Sequence, residues 1–176
     1  MNIDLNSLKP FIAKIDSWID GYIRTYKERR VPVANIGFSN LAAYFSSDML
    51  NYARVAYVEQ IEPPPLRQIG LDGFSFFESL NAGGITYKDT FFITKNLAKD
   101  ESIHFHELVH IIQWDELGAA DFILTYGAGL LQFGYRQCPL EAIAYGYQCD
   151  FDRGLPIKDL ESKVRSHCRN LAGNIA

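Results

Sequence analysis

The chain has 176 residues, 48% hydrophobic, 14% aromatic and 22% charged. That is enough length and apolar content for one self-sufficient core, and it excludes a disordered chain. A net charge of −4 and a pI near 5.5 exclude the clustered basic surface that nucleic acid requires.

The opening stretch "MNIDLNSLKPFIAKIDSW" carries Asp4 and Asp16 and no unbroken apolar run, so it does not read as a signal peptide. No segment approaches the roughly 18 continuous apolar residues of a membrane span. The expectation is a cytoplasmic protein, although export by a route needing no signal leaves the same sequence. Cys138, Cys149 and Cys168 are odd in number and lack CxxC spacing, which reads as reduced thiols.

Residues 8–30 place Leu8, Phe11, Ile12, Ile15, Trp18, Ile19, Tyr22, Ile23 and Tyr26 at spacings of three and four, predicting a long amphipathic helix that stops near "RVP". The basic cluster "KERR" at 27–30 falls at its end, where it complements the helix dipole rather than binding phosphate. A second helix is expected around 39–51. "ARVAYVEQI" at 53–61 reads as a strand running into Pro63, Pro64 and Pro65. "GFSFFESL" and "GGITYKDTFFITK" follow, separated by the turn signal "NAGG". In the second run Ile85, Tyr87, Asp89, Phe91 and Ile93 alternate with polar residues except at Phe92, predicting a half-exposed strand. From residue 100 the pattern is helical, with helices over 101–117, 119–133, 139–151 and 156–171 and breaks at Gly118, Gly134 to Pro139, and Gly154 to Pro156. No repeat, linker or low-complexity tract divides the chain. Residues 1–176 therefore read as one α+β domain, with 1–50 open to reading as a helical addition to a smaller core.

The chemistry concentrates in "HFHELVHIIQW" at 104–114. Residues four apart on a helix lie about 40° apart on one face, so His106 and His110 can present two imidazole nitrogens to one cation. Glu107 lies about 100° from His106, poorly placed to ligate but able to take a proton from a water at the metal. Phe105, Leu108, Val109 and Ile112 form an apolar stripe that Ile103, Ile111 and Trp114 extend nearly round the helix, so these polar groups are expected to be buried. Two uncompensated imidazoles and a carboxylate are costly there, and a metal ion compensates them. His104 faces elsewhere and is expected to be exposed; His167, in "ESKVRSHCRN", reads as solvated.

A catalytic Zn²⁺ takes a third protein ligand. Glu141 is the leading candidate, near the start of a helix whose Pro139 suits the first helical position. A glutamate there also favours the helix dipole with no metal at all. Cys138 competes as a thiolate, Glu161 and the acids near 100 are weaker candidates, and Asp115 and Glu116 sit too near on the same helix.

"HELVHIIQ", "LGAADFILTYG" and "GYRQCPLEAIAY" together resemble the small gluzincin-type zinc metallopeptidase domains, in particular a bacterial HELxHxxQ…PLExxAY group found among minigluzincin-like and contractile-injection-system-associated domains. The resemblance spans about residues 70–150. It implies a zincin-like fold with a small, mostly antiparallel sheet packed on the histidine helix, His106, His110 and Glu141 as zinc ligands, and Glu107 as general base. It also implies a strand near 85–94 along which an extended peptide or protein substrate adds. The sequence departs from the thermolysin-like pattern at Tyr145, where that pattern has an Asp orienting a zinc-bound histidine.

These residues suit hydrolysis of a peptide bond, with Tyr145 as the leading donor to the oxyanion, then Tyr135 and Tyr126. Gln113 falls near the metal face, and Asp89 is a candidate for orienting a histidine. Two other functions fit the same residues: a zincin-fold binding or assembly module without turnover, and an effector peptidase with a single protein target. Oligomeric state is not legible.

Overall fold

The structure is a computed structural model that describes residues 9–78 and 82–173. Helix α1 (Lys9–Thr25) leads to a short strand β1 (Val31–Pro32), helix α2 (Ser47–Tyr52) and strand β2 (Arg54–Val58). A one-turn helix α3 (Ser75–Glu78) precedes strands β3 (Gly84–Tyr87) and β4 (Thr90–Thr94). Helices α4 (Glu101–Phe133), α5 (Pro139–Asp152) and α6 (Leu160–Gly173) complete the fold.

The sheet order is β1-β2-β4-β3. β1 and β3 pair antiparallel with their neighbours, but the central pair β2–β4 is parallel, with Arg54 opposite Thr90 and Val58 opposite Thr94. The sheet is therefore mixed, and the expected mostly antiparallel sheet is corrected at its centre. The run 84–94 is likewise two strands of a hairpin, turning at Lys88 and Asp89. β4 lies between β2 and β3, with both edges paired, and the burial of the successive residues Phe91, Phe92 and Ile93 shows that both its faces are covered. Phe92, which breaks the alternation of a half-exposed strand, is what a central strand calls for.

Other boundaries shift for local reasons. Ser46 caps α2 by accepting from the Met49 N–H, so the segment around 39–51 divides into a 3₁₀ turn (Leu41–Ala43) and α2. β2 ends at Val58, before the prolines, and α1 ends at Thr25 in a turn that carries Arg30 to Asp89 and Thr90. "GFSFFESL" forms a 3₁₀ turn and α3, with its last two residues outside the described set, as is Asn81 of the "NAGG" turn.

α4 is the organising element, touching α1, β3, β4, α5 and α6. Asp100 caps it by accepting from the Ser102 and Ile103 N–H groups, and Glu101 accepts from Asn40 and Leu41. From His104 to Trp114 every residue is buried, as the apolar girdle of the sequence requires. At Gly118 (φ 71°, ψ 168°) the helix breaks into two rods, 101–117 and 119–133, as the sequence predicts. Only glycine occupies that backbone conformation without strain. The break folds the second rod back, stacking Phe122 on Trp114 at 3.9 Å between ring centroids. Beneath the sheet, Trp18 and Tyr22 of α1 stack at 5.1 Å, and Tyr22 meets Phe92 at 4.7 Å. α1 thus packs into the core through Ile19, Tyr22 and Ile23.

Candidate metal centre

The first rod of α4 carries His106 and His110, and α5 carries Glu141 in its first turn behind Pro139. Their ligand atoms all lie within 4.8 Å of one another and all three residues are buried. The two Nε2 atoms are 3.0 Å apart, and they lie 3.4 and 3.5 Å from Glu141 Oε2 and Oε1.

Outer hydrogen bonds define what these atoms offer. His110 Nδ1–H donates to Gln113 Oε1 at 2.7 Å, while Gln113 Nε2 donates to the Leu140 carbonyl at 3.0 Å. A carbonyl only accepts, so the amide orientation follows, and with it the histidine tautomer. His106 Nδ1–H donates to Gln148 Oε1 at 3.0 Å, and Gln148 Nε2 reaches Ser102 Oγ at 2.8 Å. Each imidazole therefore turns a lone pair on Nε2 inward. Tyr126 donates to Glu141 Oε1 at 2.6 Å, whereas Glu141 Oε2, also buried, has no hydrogen-bond partner. Several lone pairs thus converge in a low-dielectric pocket without a donor among them, an arrangement that a cation stabilises. The buried His-His-Glu group fits a metal ion.

The electrostatics agree. Burial opposes a charge on His110, yet Glu141 and then Glu107 carry its pKa up to about 9. Burial likewise opposes a charge on Glu141, but His110 and His106 outweigh it and hold the carboxyl far below the ordinary range. Without an ion the site retains a proton instead. Glu107 is raised by burial, against the pull of His106 and His110.

Glu107 points to β3. Its Oε2 accepts from Thr86 Oγ1 at 2.6 Å, and its Oε1 has no hydrogen bond among the described residues. Gly84 lies against this carboxylate so closely that a Cβ there would collide with Oε1. The absence of a side chain at Gly84 leaves Glu107 its position. Tyr145 is half-buried, its ring 4.5 Å from that of His106, with Arg136 over its other side at 5.1 Å. Tyr135 lines the same cleft.

Several expected placements are corrected. His104 is 0% exposed, because Nδ1 donates to the Asp100 carbonyl at 2.7 Å and Nε2 faces the Tyr57 hydroxyl at 3.1 Å. Both its nitrogens are occupied, so it is a satisfied core histidine. Asp89 orients no histidine; it pairs with Arg30 at 3.1 Å in the β3–β4 turn. Tyr126 is committed to Glu141. Cys138 Sγ turns to the Tyr126 carbonyl, Glu161 accepts from the Ser46 N–H, and Asp115 and Glu116 pair with Arg165. His167 is exposed, as expected, and all three cysteines are free.

No protein-family model matches this chain, and no curated protein or solved structure matches it either. Gln148 and Thr86 are contributors that the sequence reading misses. Gln148 had a signal, lying seven residues or two turns beyond Glu141 on the same face. Thr86 had none, because only the docking of β3 on α4 brings it to Glu107. Among the described residues no helix is long and apolar enough to cross a membrane.

Proposed function

We propose that this protein is a zinc-dependent metallopeptidase of zincin-like fold, with His106, His110 and Glu141 as ligands and Glu107 as general base. The observation that carries the reading is the convergence of two inward Nε2 lone pairs and the partnerless Glu141 Oε2 beside a carboxylate on the next residue of the same helix. A tetrahedral ion with bonds of about 2.0–2.1 Å separates its ligand atoms by about 3.3 Å, close to the distances found here.

A bound zinc ion supplies Lewis acidity to the scissile carbonyl and to the attacking water. Glu107 accepts a proton from that water at Oε1, while Thr86 holds Oε2 and fixes the carboxylate plane. Glu107 then passes the proton to the leaving nitrogen. Tyr145 is the proposed donor to the developing oxyanion, with Tyr135 beside it in the cleft. The position of the missing orienting carboxylate is supplied in effect by Gln148, a neutral acceptor for His106 Nδ1–H.

Metal analysis followed by digestion of a broad peptide library tests this. The wild type is expected to hold one zinc per chain and to cleave, and Glu107→Gln to keep the zinc and lose cleavage by at least about 10²-fold. A metal-replete wild type as inactive as Glu107→Gln would leave the fold with a binding role only.

A further inference from the structure

A groove with about 130 Å³ of accessible space runs from the centre between α1 and the second rod of α4. Ile12 and Ile15 form one wall, Phe122 and Leu130 the other, and Pro63 and Pro64 close a third side. Among the described residues no Lys, Arg or Asp lines it. Its polar side chains fall into two sets. Thr86, Glu107, His110, Glu141 and Tyr126 belong to the centre, with Tyr135 at the cleft. Tyr87 donates to the Glu62 carbonyl and Trp114 to the Thr86 carbonyl.

The backbone of the helical walls is equally closed. The helical N–H groups of α1 and α4 are used within their helices, and the prolines have none. β3 is the edge strand, which would invite a peptide to add beside it. The Thr94 N–H donates to the Gly83 carbonyl, so by alternation Gly84 and Thr86 turn their polar groups outward. The outward Thr86 carbonyl is capped by the Trp114 indole at 3.1 Å. An added strand therefore finds no free carbonyl at Thr86 and is left with Gly84 and the Thr86 N–H to pair with. Deeper in the groove, past Gly84 and Thr86, a peptide backbone would leave its N–H and C=O groups unsatisfied, whereas a hydrocarbon chain has none to satisfy.

We infer that the groove, continuous with the metal centre, takes a fatty acyl chain, and that the substrates are N-acyl amides whose scissile carbonyl sits at the centre. This rests on the hydrolytic reading and narrows its substrate from peptides in general to acylated amines or peptides. The reaction is R–CO–NH–R′ plus water giving R–COO⁻ and R′–NH₃⁺. The C–N bond breaks, a C–O bond forms, and both water protons end on the leaving nitrogen, relayed by Glu107.

The test separates the chain-binding groove from the chemistry. Full-length protein, as wild type and as Glu107→Gln, is titrated with the fluorescent polyene cis-parinaric acid, which is then displaced by straight-chain fatty acids from octanoate to myristate. Expected are saturable binding to both proteins and affinities that rise roughly threefold to fourfold per methylene. Ile15→Asp, on a half-buried wall position, is expected to lose binding by at least tenfold while keeping its zinc. Displacement independent of chain length, or by a blocked apolar tetrapeptide as well as by myristate, would overturn the assignment. Should acyl chains bind while neither N-acyl amides nor peptides are hydrolysed, the hydrolytic reading falls and the groove assignment stands. Cleavage of peptides without chain binding gives the reverse.

Discussion

At the residue scale, the geometry of the His-His-Glu group depends on side chains outside it. Gln113 links two members of the group at once, accepting from His110 and donating to the carbonyl just before Glu141. It therefore sets the distance between α4 and the first turn of α5. Gln113→Leu is expected to weaken zinc binding about 10–100-fold, read by competition with a chromogenic chelator. It should also lower the stability of the metal-free protein by about 1–3 kcal/mol, because a buried N–H and a buried carbonyl lose their partner. Gln113→Glu, which keeps the acceptor for His110 but not the donor to Leu140, should recover part of the affinity. Wild-type affinity in Gln113→Leu would show that His110 needs no outer support. The use of two neutral carboxamides, Gln113 and Gln148, also limits negative charge in a pocket that already holds Glu107 and Glu141.

At the element scale, α4 works because it is not one helix. The first rod holds the histidines; the second, turned by Gly118, returns Tyr126 to Glu141 and Phe122 to Trp114. Gly118→Ala forces a side chain into a backbone region that only glycine visits freely. It is expected to cost about 1–3 kcal/mol in urea denaturation. His106 and His110 lie upstream of the break, so zinc stoichiometry should survive while the affinity falls with the loosened Tyr126–Glu141 bond. Unchanged stability would mean that the two rods pack independently of the break. The same economy appears at α5. Cys138 makes no side-chain cap, so Pro139 and packing against α4 define where this helix begins.

At the scale of the whole molecule, metal, proton and stability are linked. The pKa of His110 in the metal-free fold is about 9, above its unfolded value of about 6.5. A raised pKa contributes stability that is complete below the unfolded value and is lost as pH rises through the folded one. The chelated protein should therefore lose melting temperature between about pH 6.5 and pH 9, and the zinc-loaded protein should lose less, since the metal needs the imidazole unprotonated. Thermal melts across that range, with and without chelator, check this. Parallel curves would place the stabilising charge elsewhere.

What the sequence determined by itself is local. Helix geometry puts His106 and His110 on one face, Gly118 and Pro139 punctuate the helices at the expected places, and the apolar girdle of 103–114 forces burial of that stretch. Pairing of β2 with β4, the exposure of His104, the commitment of Tyr126 and the arrival of Thr86 and Gln148 were decided by tertiary structure. The physical reason is that periodicity reports which face of an element is buried but not what covers it. A polar side chain in a core takes its role from the partner that docks there, and those partners come from distant elements, 47 residues apart in the case of Tyr57 and His104. Helix spacing could therefore bring two imidazoles together, while the groove beside them, the capped Thr86 carbonyl and the network that aims each nitrogen exist only in the assembled fold.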